Sequence, residues 1–288
     1  MFVPLLKTFG SIIAQCGLRV HRYNARSIEK AKMMQNKYVG DVGDFGKFQL
    51  FRFLFEHEES PLRGKALAQI WFMHDGKGER NSDGCYIDYF ERMGGTDAYL
   101  EHSLMQLLMR QKREVEELER LRLLSHARFF YDEVPKNLED RYLWLNKALR
   151  FALHTPVVAV APDNGMALRC LRDKKRFELL TLEEHYRQKV YAHKYIFIDE
   201  VDYFFKLPHL EILVLYQHLG RCMSHEKQAH VLLESLRERY RYVVAVKHRP
   251  YSPRLFFFVC KSEVIEESVR YRLSTLCERF SSFWEAKF

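Results

Sequence analysis

The chain has 288 residues, of which 47% are hydrophobic, 14% aromatic and 29% charged. That composition buries a core and excludes global disorder, and no run reaches the ~18 consecutive apolar residues of a membrane span. Its 46 basic and 38 acidic residues leave a net charge of +8, a balance that suits a polyanionic partner such as RNA or DNA and also suits plain solubility.

Residues 1–35 read as a basic, partly apolar appendage. Lys7, Arg19, Arg22 and Arg26 precede the first acid, Glu29, and Gly10, Gln15 and Gly17 interrupt the apolar run that a secretory signal requires. A single domain is expected over 36–288. It opens on the turn Asn36 to Asp44, rich in glycine and aspartate, which feeds the apolar stripe Phe48, Phe51 and Phe55 of a buried helix. Asp44 is the expected N-cap. Lys47, in the first turn, opposes the helix dipole and so points to a nearby carboxylate or anionic ligand.

Ala68–Met73 predicts a buried strand that empties into His74-Asp-Gly-Lys-Gly78. A helical insertion is expected around 97–150, with the mixed charges near Glu114–Arg122 forming a solvated face. Further strands are predicted at Pro156–Ala161, Tyr195–Ile198 and Leu210–Gln217, and a helix at Ser224–Arg239. Tyr242–Val246 and Leu255–Cys260 flank a connection with two prolines and predict a hairpin. Strand–helix alternation through the middle implies a mostly parallel sheet with helices on both faces. With its C-terminal antiparallel hairpin, this α/β arrangement resembles Rossmann-like, methyltransferase-type folds.

Ligands of open parallel sheets bind beyond the carboxyl ends of the strands, where Asp75, Asp163, Asp199 and Asp202 are expected; Asp41 and Asp44 lie in the pre-helical turn. Gly76 and Gly78 would let the backbone approach a nucleoside-type cofactor closely. Pro162-Asp-Asn-Gly165 presents Asp163 and Asn164, either to a ligand or as a polar turn. Gln217, His218 and Arg221 could meet a phosphate or a base edge. Arg172, Lys174, Lys175 and Arg176, with Lys247, Arg249 and Arg254, are expected to form a basic rim. The cysteines Cys16, Cys85, Cys170, Cys222, Cys260 and Cys277 contain no C-x-x-C pair and read as the reduced thiols of a cytoplasmic protein.

Asn36-Lys-Tyr-Val-Gly-Asp-Val-Gly-Asp-Phe-Gly-Lys-Phe48, Pro162-Asp-Asn-Gly165 and Tyr216-Gln-His218 resemble the signatures of a bacterial family of unassigned function. That family distantly resembles the large-ribosomal-RNA adenine-N6 methyltransferases. Gly40–Lys47 is similar to their G-N-x-x-D-x-x-K segment, with Asp41 in place of the asparagine. His74–Gly78 is similar to their H-A-G-A-G loop, and Ala161–Asn164 falls on their catalytic D-P-P-Y loop. The resemblance implies a methyltransferase-like protein that uses S-adenosylmethionine and acts on or binds nucleic acid. Gly40, Asp41, Asp44, His74, Asp75, Gly76 and Gly78 would then shape the cofactor site, and Lys47, Asp163 and Asn164 would face the reacting groups. Ala161 and Asn164 depart from that loop's acid and aromatic, so either Asp163 has taken over the polar role or the scaffold serves another end. Two alternatives stay open. One is a metal-dependent nuclease or phosphoesterase, in a defence role against foreign DNA, with magnesium on Asp41, Asp44, Asp75, Asp163 and Asp199. The other is a non-catalytic binding protein on a decayed methyltransferase scaffold.

Overall fold

The computed structural model describes residues 36, 38–74, 86–87, 93–171, 176–189 and 191–288, all within one compact unit, Lys32–Phe288. Its first half runs α1 (Val42–Phe55), β1 (Leu67–Trp71), α2 (Ala98–Met109), α3 (Val115–Arg120), β2 (Ala127–Phe130), α4 (Leu138–Ala152) and β3 (Val157–Ala161). Short pieces follow: β4 (Gly165–Met166), β5 (Leu168–Leu171), β6 (Arg176–Leu179), α5 (Leu182–His185), β7 (Tyr195–Ile196) and α6 (Ile198–Phe205). The chain closes with β8 (Ile212–His218), α7 (His225–Arg237), β9 (Tyr242–His248), β10 (Arg254–Cys260), α8 (Glu263–Arg279) and β11 (Trp284–Lys287).

Seven strands form one mixed sheet in the order β11-β9-β10-β8-β3-β1-β2. The half β2-β1-β3-β8 is parallel and the half β8-β10-β9-β11 antiparallel. Side chains alternate between two apolar faces. Val157, Val214, Val244 and Phe256 pack against α1, α2, α3 and α8, whereas Val158, Leu213, Val243 and Phe257 pack against α4, α6 and α7. Each fully buried side chain of this size contributes about 1.5–3 kcal/mol over exposure, so both faces must be covered, and helices cover both. No helix among the described residues is long and apolar enough to cross a membrane.

Several local expectations change. Asp41, not Asp44, caps α1: its Oδ1 accepts from the Gly43 and Asp44 N–H groups at 2.7 and 3.1 Å. The helix expected from Asp97 to Leu124 breaks into α2 and α3, with Gln111 left-handed at φ 54° in the break. The region expected as a helical insertion also contains β2, an edge strand of four residues whose pattern is too short to show periodicity. Tyr195–Ile198 is no strand of the main sheet. Only Tyr195–Ile196 extends, pairing with β4, and α6 then starts because Glu200 reaches back to accept the Phe197 N–H at 3.0 Å. Strand β11 was not expected; Trp284 fixes it, buried and donating from Nε1 to Gln49 Oε1 on α1 at 2.8 Å.

The parallel order reverses at β1, which has β2 on one side and β3 on the other. The crevice at that switch is where open sheets place their ligands. Strand β10 runs the other way, so its first residue, Arg254, lies at the same edge as His218, the last of β8.

Candidate functional site

One open cleft of about 290 Å3 occupies this edge. Tyr38, Asp41, Gly43, Asp44 and Lys47 border it from α1 and the turn before it, and Trp71, Ala161–Asn164, Tyr216 and His218 from the parallel strands. Ser252 and Arg254 come from the hairpin, and Tyr86 and Lys194 complete the wall. The volume is just below the roughly 300–1,000 Å3 usual for small-molecule sites.

The α1 side is a knot of charges built by its own turn. Gly40 adopts φ +77°, and its N–H donates to Asp44 Oδ2 at 3.0 Å. The other oxygen of Asp44 pairs with Lys47 Nζ at 2.8 Å. Lys47 is buried, and its ammonium also sits 3.5 Å from the centre of the Trp71 ring. The carboxylate that its position predicted is therefore Asp44. Burial lowers the Lys47 pKa, with Asp44 opposing. Burial, reinforced by Asp44, pushes Asp41 up to about 6, while Arg254 and the capping N–H groups pull the other way.

Across the cleft, the strand-end loop after β3 holds Asp163 by one oxygen. His74 Nε2 lies 2.7 Å and Lys194 Nζ 3.7 Å from Asp163 Oδ2. Oδ1 has no hydrogen-bond or ion-pair partner among the described residues. His193, in ring contact with His74, is pushed down to about 4 by burial and then by His74, Lys136 and Lys194. Asn164 is turned to structure through its backbone: its N–H donates to Lys194 O and its carbonyl accepts from Gln217.

Gln217 is spent on that loop. Its Oε1 accepts the Met166 N–H at 2.8 Å, and its Nε2 donates to Asn164 O at 3.2 Å and His218 O at 2.9 Å. The ligand role open to Gln217 in the sequence is thus closed, and Arg221 is exposed outside the cleft. Asp199 and Asp202 also leave the candidate set, because both lie on α6. Asp199 accepts from the Leu182 N–H, and Asp202 pairs with Arg239 and Tyr240. Among the described residues no group of three or more His, Cys, Asp or Glu is arranged to hold a metal.

Gly40, Asp41, Asp44, Lys47, His74, Asp163 and Asn164 therefore gather at one edge, whereas Asp75, Gly76 and Gly78 lie outside the described residues. Of the expected basic rim, Arg254 lines the cleft. Lys247 is instead held by Glu226 and Glu285, and Arg249 by Glu285. Arg172, Lys174 and Lys175, and the side chain of Arg176, fall outside the described residues. Trp71, Tyr86 and Lys194 were missed; Trp71 read only as the middle of an apolar strand, with no local signal that its ring would face a cleft. Comparison with protein-family models, curated proteins and solved structures finds no match to the chain.

Proposed function

We propose that the chain is an S-adenosylmethionine-dependent, methyltransferase-like protein that acts on a nucleic-acid base. The observation that carries this reading is the meeting of the β1 and β3 ends at the switch of strand order, in a sheet whose β10 inserts antiparallel between β8 and β9. The antiparallel β9–β10 hairpin within it is the feature likened, on sequence, to methyltransferase-type Rossmann folds. The chemistry of the lining also fits the cofactor: carboxylates and aromatic faces suit a sulfonium cation and a purine.

The bound cofactor would supply an activated methyl group. Methyl transfer needs little covalent help from the protein, since aligning the nucleophile in a dry, fixed geometry provides much of the rate. In this reading His74 and Lys194 fix one oxygen of Asp163, and Oδ1 accepts a hydrogen bond from the amine of the incoming base. Asp163 thereby performs the polar role that Ala161 cannot. Tyr216 or Tyr86 would provide the ring on which the base stacks, because Asn164 cannot. Among the described residues Cys170, Cys260 and Cys277 are free thiols, which suits a cytoplasmic setting.

One observation favours a second reading, a non-catalytic binding protein on the same scaffold: Ala161 stands where the resemblance has an acid, and Asp163 is already half engaged. The magnesium-dependent alternative is weaker, because Asp199 is tied to the α5 start and Asp44 to Lys47. Incubation with methyl-labelled cofactor and structured or single-stranded RNA and DNA separates these. Label transferred to adenine or another base supports the enzyme. Cofactor binding without transfer to any base leaves the binding protein, and magnesium-dependent cleavage of the strands overturns both.

A further inference from the structure

Arg254 opens β10, in register with His218 on one side and His248 on the other. The residue is only 7% exposed, yet it lines the cleft. Nε donates to Ser252 O at 2.9 Å, which fixes the plane of the guanidinium. Among the described residues, Nη1 and Nη2 have no acceptor and no ion-pair partner. An arginine stays charged at any ordinary pH, and holding a buried charge with empty donors is costly. The surroundings keep it there nonetheless. Gly43 has no side chain where a Cβ would overlap Nη1. Among the described residues no nearby carboxylate hydrogen-bonds the guanidinium: Asp41 Oδ1 holds the Gly43 and Asp44 N–H groups and Asp44 holds Gly40 and Lys47, so Asp41 acts on it through its charge alone.

The start of α1 is not the recipient of an anion, because its N–H groups are taken. Val42 donates to Tyr86 O, Gly43 and Asp44 to Asp41 Oδ1, and Phe45 to Asp41 O. The open donors belong to the arginine. A planar fork of this kind matches the oxygens of a phosphate.

We propose that Arg254 receives a backbone phosphate of a nucleic-acid strand whose neighbouring base enters the cleft beside Tyr86 and Tyr216. The assignment rests on the reading of this cleft as a nucleic-acid site. Strand order argues against the cofactor's own carboxylate, although Nη1 abuts Gly43 beside Asp41, so the cofactor arm of the test below decides between the two. β10 is three strands from β1, about 14 Å at ~4.8 Å per strand, whereas the cofactor of such a sheet lies beyond β1 itself. Composition of the wall decides against a free inorganic anion: Tyr38, Trp71, Tyr86 and Tyr216 border the same space, and aromatic faces are what unstacked bases seek.

The test is fluorescence anisotropy with short labelled single strands of RNA and DNA across a salt series, alongside calorimetry with S-adenosylmethionine. Arg254→Met should weaken strand binding roughly tenfold and flatten the log–log salt dependence by about 0.7, the share of one phosphate. Cofactor affinity should hold. Gly43→Ala, which leaves the charge but displaces the guanidinium, should weaken strand binding in the same direction. If Arg254→Met does not melt cooperatively, Arg254→Lys carries the test: charge without the fork should bind the strand about threefold more weakly. Strand affinity and salt slope unchanged in the folded variants would overturn the proposal. So would wild type that binds no strand at low salt, a loss confined to cofactor affinity, or a nucleoside monophosphate that competes as well as the strand. If wild type fails to bind the cofactor while strand binding still depends on Arg254, the methyltransferase reading falls and the phosphate site stands.

Discussion

Gln217 occupies the space in which a side chain at position 165 would have to stand: a Cβ on Gly165 would meet Gln217 Oε1 at 2.5 Å. Gly165 also adopts φ +91°, a conformation that L side chains rarely accept. The Pro162–Gly165 and Tyr216–His218 motifs are thus two halves of one device. The amide of Gln217 adds two side-chain hydrogen bonds, to the Met166 N–H and the Asn164 carbonyl, beside the pairing of β4 with β7, and so ties the loop after β3 to β8.

Gly165→Ala should therefore cost about 2–4 kcal/mol, combining backbone strain with a steric clash. Gln217→Ala should cost a similar amount, because it orphans the buried Met166 N–H and the Asn164 carbonyl. Urea unfolding measures both. A loss below about 1 kcal/mol in both variants would mean that the loop does not depend on this contact.

Gly46→Ala tests a second close approach. In an ordinary helix the change gains about 0.5–1 kcal/mol. Here the added Cβ would lie 2.7 Å from the His248 ring, which is fully buried and packed on Trp284 at 4.6 Å between centroids. A net loss of about 1–3 kcal/mol is expected. A stabilised variant would show that the His248 ring is free to yield.

The pH dependence of stability carries a signature of Asp41. A carboxyl held at about 6 by burial binds its proton more tightly in the folded chain than in the unfolded one. Its contribution is full below the unfolded value near 4 and is lost as pH rises through about 6, a change of up to about 3 kcal/mol. His193 acts in the opposite sense: lowered to about 4, it favours folding at high pH and loses that contribution as pH falls. The two oppose each other in wild type, so the informative quantity is the difference from Asp41→Asn, which keeps a capping oxygen. That variant should gain on wild type steadily between about pH 4 and pH 6. A constant difference across the window would contradict the raised carboxyl.

Asp163→Asn separates positioning from binding. The amide keeps one acceptor but weakens the contacts to His74 and Lys194, so methyl transfer should fall about 10- to 100-fold while cofactor affinity holds. Ala161→Asp restores the acid of the ribosomal-RNA family's loop and should raise transfer if that position still faces the acceptor. Equal transfer rates in wild type and both variants would remove Asp163 from the reaction.

Much of this architecture was legible where the chain repeats a simple period. The apolar runs at Ala68–Met73, Pro156–Ala161 and Tyr242–Val246 give strands of the main sheet, and the hairpin prolines fall between β9 and β10. The failures have a common cause in contacts from outside the local window. Tyr195–Ile198 is as apolar as a core strand, but Glu200 turns it into a helix start. Lys247 and Arg254 looked alike as basic hairpin residues, yet one side chain joins Glu226 and Glu285 while the other enters the cleft. The glycine- and aspartate-rich turn singled out Asp41 and Asp44, which both line the cleft, as candidates. It did not show that Asp41 would cap α1 while Asp44 received Lys47, a choice made by the geometry of one helical turn.

The most direct measurement is calorimetric titration of the wild-type chain with S-adenosylmethionine, repeated with magnesium alone. The account predicts saturable binding of one cofactor per chain and no comparable heat from magnesium. No cofactor binding, together with a saturable magnesium site, would contradict it.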